Sequence, residues 1–312
     1  MWFWLAIAAM ICWSGSDLFS KIGCRDSFDK QSHLKMATAV GVVMGLHALY
    51  EILTGTEISF DIILKYLPVS VLYILSMIIG YMGLRYIELS VSSPVCNASG
   101  ALVAFASFFL MLFSGGIEWD SVTVISICAV LLVCAGVIGL GLVEHYEDDT
   151  LRAARQEASN YKYSKSVLAL LLPILYCVLD AAGTFADSLV LASFEKQGIS
   201  EASANVAYEL TFFACGLVSF IYLVFFKKAK YTLRHEVPKY TGAVFETVGQ
   251  FAYIFALADE EHVMFSAPII SSYCLFSVLW SRIFLKEKLS FKHYLMIAVA
   301  AVGIVTLGTL DP

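Results

Sequence analysis

Four acidic side chains sit where an apolar chain has least reason to keep them. Asp17 lies in "CWSGSDLFSKIG" (Cys12–Gly23), Asp180 in "YCVLDAAGTFAD", Glu209 in "NVAYELTFFACG" and Glu246 in "FETVGQFAY". Each is embedded in an apolar run long enough to cross a bilayer. A charged group at the centre of a membrane-spanning helix costs about 2.5–3.5 kcal/mol on insertion scales, and such residues usually face a cavity or a partner. Asp187 follows Asp180 by seven residues, on the same helical face. Deep in these runs there is essentially no Lys or Arg.

Buried acids without fixed positive charge support three kinds of chemistry. They bind an ammonium group, they carry protons, or one carboxylate does both in competition and exchanges a proton for a cation. A phosphorylated substrate would instead call for Lys or Arg at depth. Each acid also has a plainer role open to it. Asp17 reaches Lys21 four residues on, and Glu246 with Gln250 can hydrogen-bond a neighbouring helix. Asp180 precedes a small-residue run that allows close helix packing. His47 and Glu51, four apart, read as an interfacial pair, and "ADEEH" (Ala258–His262) as a solvated turn. Trp13, Tyr176, Tyr253 and Tyr273 are the aromatics that would suit an amine through cation–π contacts if they line a cavity.

The elements that hold these residues follow from composition. The chain of 312 residues is 59% hydrophobic and 15% charged, with a mean hydropathy of +0.78. Soluble domains average about 45–50% apolar and about 25% charged residues, and a soluble protein this apolar would expose large greasy patches. A polytopic membrane protein built of helices of about 20 residues is the alternative.

Hydropathy and breakers predict ten spans: Trp2–Lys21, His33–Leu53, Lys65–Ile87, Ser92–Phe113, Ser121–Val143, Val167–Val190, Ser200–Phe226, Tyr240–Ala258, Val263–Leu285 and Phe291–Leu310. The long polar stretch Glu144–Lys165 splits them five and five. Five is odd, so two copies of such a unit would enter the membrane from opposite sides as inverted repeats. The predicted units are residues 1–143 and 167–312, with a cytoplasmic linker over 144–166. "LSVSSPV" and "VMFSAPI" correspond, each placing a proline, Pro94 or Pro268, in the first turn of its span, where a missing N–H costs little. Asp17 and Asp180 correspond too, each about two-thirds along its span.

With alternating spans, all Lys and Arg but Lys65 and Lys196 fall on one side. Basic loops stay in the cytoplasm, which places both termini outside. At about 1.5 Å per residue, Asp180 and Glu209 share one depth and Asp17 and Glu246 another, nearer the inside.

These residues resemble a known family. The five-plus-five layout is similar to the drug/metabolite transporter superfamily, EamA-type members in particular. The first span carries its pattern of Trp, small residue, aromatic and Lys, here Trp13, Gly15, Phe19 and Lys21. "SAPIISSYCLFSVLWSRIFLKEKLS" (Ser266–Ser290) resembles its ninth span and exit, with Phe284, Leu285, Glu287, Lys288 and Leu289. Asp17 is not part of the usual first-span pattern, and members are often described with cytoplasmic termini. The resemblance implies an all-α integral membrane carrier, ten helices in two inverted five-helix repeats around a central cavity, working by alternating access.

With the acids, this gives a secondary transporter of a small amine-containing or cationic metabolite (amino acid, amine or drug-like cation), expected to be coupled to protons. Glu209 and Asp180, then Glu246 and Asp17, are the expected substrate or proton ligands. The alternative is a flippase for a lipid-linked head group. No His-Glu-x-x-His, Gly-x-Ser-x-Gly, P-loop or paired-Asp motif points to an enzyme. None of the eight Cys forms a metal-ligand spacing, so neither metal, cofactor nor disulfide is expected. Expected partners are the substrate, protons and the lipid of an inner or plasma membrane, with no nucleic acid, and the chain acts as a monomer or homodimer.

Overall fold

A computed structural model describes residues 1–25, 29–86, 89–114, 121–146, 167–259, 262–286 and 290–310. Lipid offers a backbone no hydrogen bonds, so a chain this apolar satisfies its N–H and C=O groups within helices. The helices are α1 (Trp2–Cys24), α2 (Ser32–Thr54), α3 (Phe60–Tyr86), α4 (Leu89–Asn97), α5 (Ser99–Ser114) and α6 (Ser121–His145). There follow α7 (Val167–Lys196), α8 (Glu201–Ile221), which runs on as a π-helical turn over Tyr222–Phe226, α9 (Leu233–Leu257), α10 (Val263–Ser271), α11 (Tyr273–Phe284) and α12 (Phe291–Leu310). Local signals set several ends. Ser200 caps α8 by accepting from the Ser203 N–H at 3.2 Å, and Gly55, at φ +111°, closes α2 in the left-handed conformation.

Seven helical stretches among the described residues are long and apolar enough to cross a membrane, and Thr123–Gly139 and Phe291–Leu307 are shorter apolar helices. The outer surface agrees, with Phe105, Leu131, Leu171, Leu217, Val248 and Val302 all exposed. The fold is an all-α membrane protein. α9 begins at Leu233, seven residues before the expected Tyr240, and its first turns carry Arg234, Glu236 and Lys239. The expected linker falls almost wholly outside the described residues, as do Glu260, Glu261 and the exit residues Glu287, Lys288 and Leu289.

The main packed pairs are α1 with α9, α2 with α8 and α9, α3 with α7 and α8, α5 with α10 and α6 with α12. Each joins an element of residues 1–146 to one of residues 167–310, so the two halves of the sequence interleave. Backbones approach closely where glycine permits it: a Cβ on Gly41 of α2 would lie 2.6 Å from the Phe212 carbonyl oxygen of α8.

Two of the expected spans are broken. α4 has nine residues with Pro94 sixth, and α10 has nine with Pro268 sixth. One residue later, at Ala98 and Ser272, each span bends before α5 and α11 resume. This corrects the first-turn placement of the prolines: both stand inside the helix. Side chains take up carbonyls that regular helix bonding would use. The Asn97 amide donates to the Ser93 carbonyl at 2.8 Å, and the Ser272 hydroxyl to that of Ile269 at 2.5 Å.

Candidate functional site

The two breaks lie against one cavity. Helical periodicity aims a stripe from each surrounding element into it: Trp13, Ser16, Asp17 and Ser20 from α1, and Tyr73, Met77, Tyr81 and Leu84 from α3. Ser92, Ser93, Cys96 and Asn97 come from α4, Tyr176, Asp180 and Thr184 from α7, and Glu246, Gln250 and Tyr253 from α9. Ala267, Ile270 and Ser271 of α10, Tyr208 of α8 and Tyr273 of α11 complete the wall. The empty space is about 890 Å³, including what opens to solvent. No Lys, Arg or His is among the described lining residues.

The broken spans hold the acids of the unbroken ones. Asp17 Oδ2 accepts from Ser93 of α4 at 2.5 Å and from Ser277 of α11 at 2.7 Å. Asp180 Oδ2 accepts from Ser99, the first residue after the α4–α5 break, at 2.7 Å, and Tyr176 stands beside it. Glu246 has Ser16 beside it and lies within electrostatic reach of both Asp17 and Asp180. Serine hydroxyls fix the carboxyl groups without adding charge, so the acids stay open to a cationic guest.

Three of the four acids expected from the sequence, Asp17, Asp180 and Glu246, therefore meet at one void, together with Trp13, Tyr176, Tyr253 and Tyr273. Trp13 packs against Tyr253 at 5.0 Å and Tyr273 at 5.9 Å between ring centroids. The Trp13 Nε1, Tyr81 Oη and Gln250 Nε2 atoms, all buried donors of the wall, have no hydrogen-bond partner among the described residues. The Lys21 ammonium, the alternative local partner of Asp17, donates to the Leu84 carbonyl at 2.8 Å.

Glu209 lies elsewhere. Its neighbour Tyr208 lines the cavity, and successive helical residues point about 100° apart. Glu209 thus turns into the seam with α2, fully buried, where His47 Nδ1 meets its two oxygens at 2.8 and 3.0 Å. His47 Nε2 is 3.9 Å from Glu51, so the expected His47–Glu51 pair is present and extends to a third member.

Tyrosines wall off one end of the cavity. Tyr73 Oη is 2.5 Å from Tyr253 Oη and donates to Thr184 Oγ1 at 3.0 Å. Tyr208 sits edge-on to Tyr73 at 5.8 Å and to Tyr66, further along, at 6.3 Å. Sequence reasoning passed over Tyr66, Tyr73 and the serines Ser93, Ser99 and Ser277. Their residue types carry no signal in an apolar helix until the fold sets them against an acid.

At the bundle end formed by the close of α1 and α3 and the starts of α2 and α9, cations are held by acids and carbonyls, with Lys35 and Lys239 buried. Lys35 reaches Asp29 at 2.6 Å, the Lys230 carbonyl at 2.6 Å and Glu236 at 3.4 Å. Lys239 reaches Glu236 at 3.2 Å, and Arg85 donates to the Lys30 carbonyl at 2.7 Å. Partial burial pushes the Asp29 carboxyl up, but the Lys35 ammonium and the Gln31 N–H outweigh it and hold it below the usual carboxylate range. Burial, then Glu236, pushes the Tyr231 phenol up to about 12.

Residues 190–309 match the model of the EamA-like transporter family. This part of the chain is similar to EamA-like transporters. The match runs from the end of α7 to α12 and bears out the drug/metabolite transporter assignment. No curated protein matches the chain in sequence. Of 28 solved chains that match it, one protein crystal structure superimposes with a TM-score of 0.61 over 98% of this chain and 96% of its own, at 14% identity. At that identity the likeness shows the fold alone, over nearly the whole chain.

Proposed function

We propose that the chain is a secondary transporter of a small amine-containing or cationic metabolite, working by alternating access and coupled to protons. The observation that carries this reading is the convergence of Asp17, Asp180 and Glu246, with Trp13, Tyr176, Tyr253 and Tyr273, on one cavity whose described lining contains no Lys, Arg or His. Carboxylates supply the attraction for an ammonium, and the rings supply cation–π contacts that replace part of its hydration. A phosphate-bearing lipid head group would meet negative charge on every side, which disfavours the flippase alternative.

The proposed frame is ten spans in two inverted five-span units, residues 1–143 and 167–312, joined by the linker over 144–166. Two features support it. α4–α5 and α10–α11 share one design, nine residues with proline sixth and then a break. The packed pairs also map onto themselves when each span is exchanged for its counterpart: α1–α9 becomes α7–α3, α2–α9 becomes α8–α3 and α5–α10 becomes α11–α4, which also pack, while α2–α8 and α6–α12 return to themselves. Interrupted helices in corresponding positions of two repeats are a common way to build a substrate site. In this reading the lysine-rich bundle end faces the cytoplasm, both termini face outside, and the Lys35–Asp29–Glu236–Lys239 cluster closes the inner end.

Purified protein in liposomes, with an imposed pH gradient and a panel of amino acids, polyamines and quaternary amines, tests the proposal. At least one amine should be taken up in a gradient-dependent way, and Asp180→Asn and Glu246→Gln should abolish that uptake. Uptake of phosphorylated anions alone, or wild-type rates in both variants, would overturn it.

A further inference from the structure

Asp187 is, with Glu209, a fully buried acid that the cavity does not use, and unlike Glu209 it has no histidine against it. It stands one turn past Thr184 on α7 and about 10 Å along the helix from Asp180. Asp180 and Thr184 line the cavity while Asp187 does not. Tyr66 Oη donates to its Oδ1 at 2.5 Å, whereas its Oδ2 is buried with no hydrogen-bond partner among the described residues. Between it and the cavity lies the layer of Tyr73, Tyr208 and Tyr253.

Among the described residues, the titratable groups that face Asp187 are Tyr66 and Tyr73 from α3, Tyr208 from α8 and Tyr253 from α9, with Asp180 on its own helix. All are phenols or acids, and no cation among them can balance a carboxylate. A buried charge with one oxygen unsatisfied and no counter-charge is among the costliest states a side chain can adopt. The α3–α7 seam is nonetheless closed around it, with Tyr66 fully buried.

We infer that Asp187 is the proton-binding carboxyl of the transport cycle: it is shut into the α3–α7 seam as the neutral acid and gives its proton to water only when the tyrosine layer parts. Proton and substrate then occupy different carboxyl groups, one on each side of Tyr73 and Tyr253. This rests on the transporter reading above and names where its proton is held. Loss of the proton places an uncompensated charge in the seam, so deprotonation favours the parted arrangement, and rising pH opens the Asp187 end of the seam.

Infrared difference spectroscopy of the full chain in lipid vesicles, between acidic and alkaline pH, tests this. The wild type should show a protonated-carboxyl C=O band. Asp187→Asn should lose the share of one group, and Tyr66→Phe should move that share to higher frequency through loss of the phenol bond. Hydrogen–deuterium exchange across Phe60–Tyr73 and Asp187–Lys196, after division by the intrinsic amide exchange rate at each pH, should rise with pH in the wild type and stay flat in Asp187→Asn. A band unchanged in Asp187→Asn, or an equal pH rise in its exchange, overturns the inference. Should that variant fail to fold, a band unmoved in Tyr66→Phe overturns it. Asp17→Asn, Asp180→Asn and Glu246→Gln report on the substrate site instead and should keep the Asp187 share of the band, so the two readings fail separately.

Discussion

Gly100 and Ser271 bring the two broken spans into contact. A Cβ placed on Gly100, one residue into α5, would fall 2.4 Å from the Ser271 Cβ and 3.0 Å from the Ala267 carbonyl oxygen of α10. Neither atom is the tip of a flexible chain, so the contact cannot yield without moving a backbone. Gly100→Ala should therefore force α5 and α10 apart and destabilise the fold by about 1–3 kcal/mol, as overpacking does. Gly100→Ala with Ser271→Gly should recover most of the loss. Thermal unfolding of the detergent-solubilised protein, followed by size-exclusion chromatography, measures both.

Asp180 and Glu246 differ in their supports but share one void. Replacing either with its amide keeps shape and removes charge. For any cation of the amine panel that binds the wild type, Asp180→Asn and Glu246→Gln should each weaken binding tenfold or more, about 1.4 kcal/mol. Equilibrium titration in detergent reads this directly. Ser93→Ala and Ser277→Ala, which free Asp17 without changing charge, should cost less.

Glu209 should behave as a structural acid. Glu209→Gln is expected to leave cation affinity within about twofold of the wild type, an effect below about 0.4 kcal/mol. His47→Ala instead strands a fully buried carboxylate and should destabilise the protein by about 1–3 kcal/mol. Affinity titrations and melting curves of the two variants separate the roles.

Asp29 gives the lysine-rich end a pH dependence. Its carboxyl is held below the usual range by Lys35 and the Gln31 N–H despite partial burial. A group depressed by folding contributes stability that is present above its unfolded value, about 3.9, and lost as pH falls through the folded one. The melting temperature should drop on acidification below about pH 4, and Asp29→Asn should show less of that drop. Melting curves across acidic buffers check the sign.

The sequence made the cavity acids legible because lipid makes ionised groups conspicuous: Asp17, Asp180 and Glu246 had to face something other than hydrocarbon. The four aromatics followed as the rings that could accompany them. Rotation about a helix axis was not legible, and Glu209 shows it: Tyr208 takes the cavity face and leaves Glu209 to His47. Pro94 and Pro268 marked the right segments, but where each helix starts decides whether a proline opens it or sits inside it, and that depends on packing. Ser93, Ser99 and Ser277 were silent, since a serine in an apolar helix more often bonds its own backbone.

A cavity whose described lining holds no lysine, arginine or histidine has an electrical side. Carboxylates inside the hydrocarbon core lie within the membrane voltage, where one elementary charge moved across the whole thickness is worth about 2.3 kcal/mol per 100 mV. Whatever neutralises Asp17, Asp180 and Glu246 therefore changes the charge that the moving parts drag through that field. Loaded and empty carriers will answer an applied potential differently, and their transient currents will count how many of the three sites are filled.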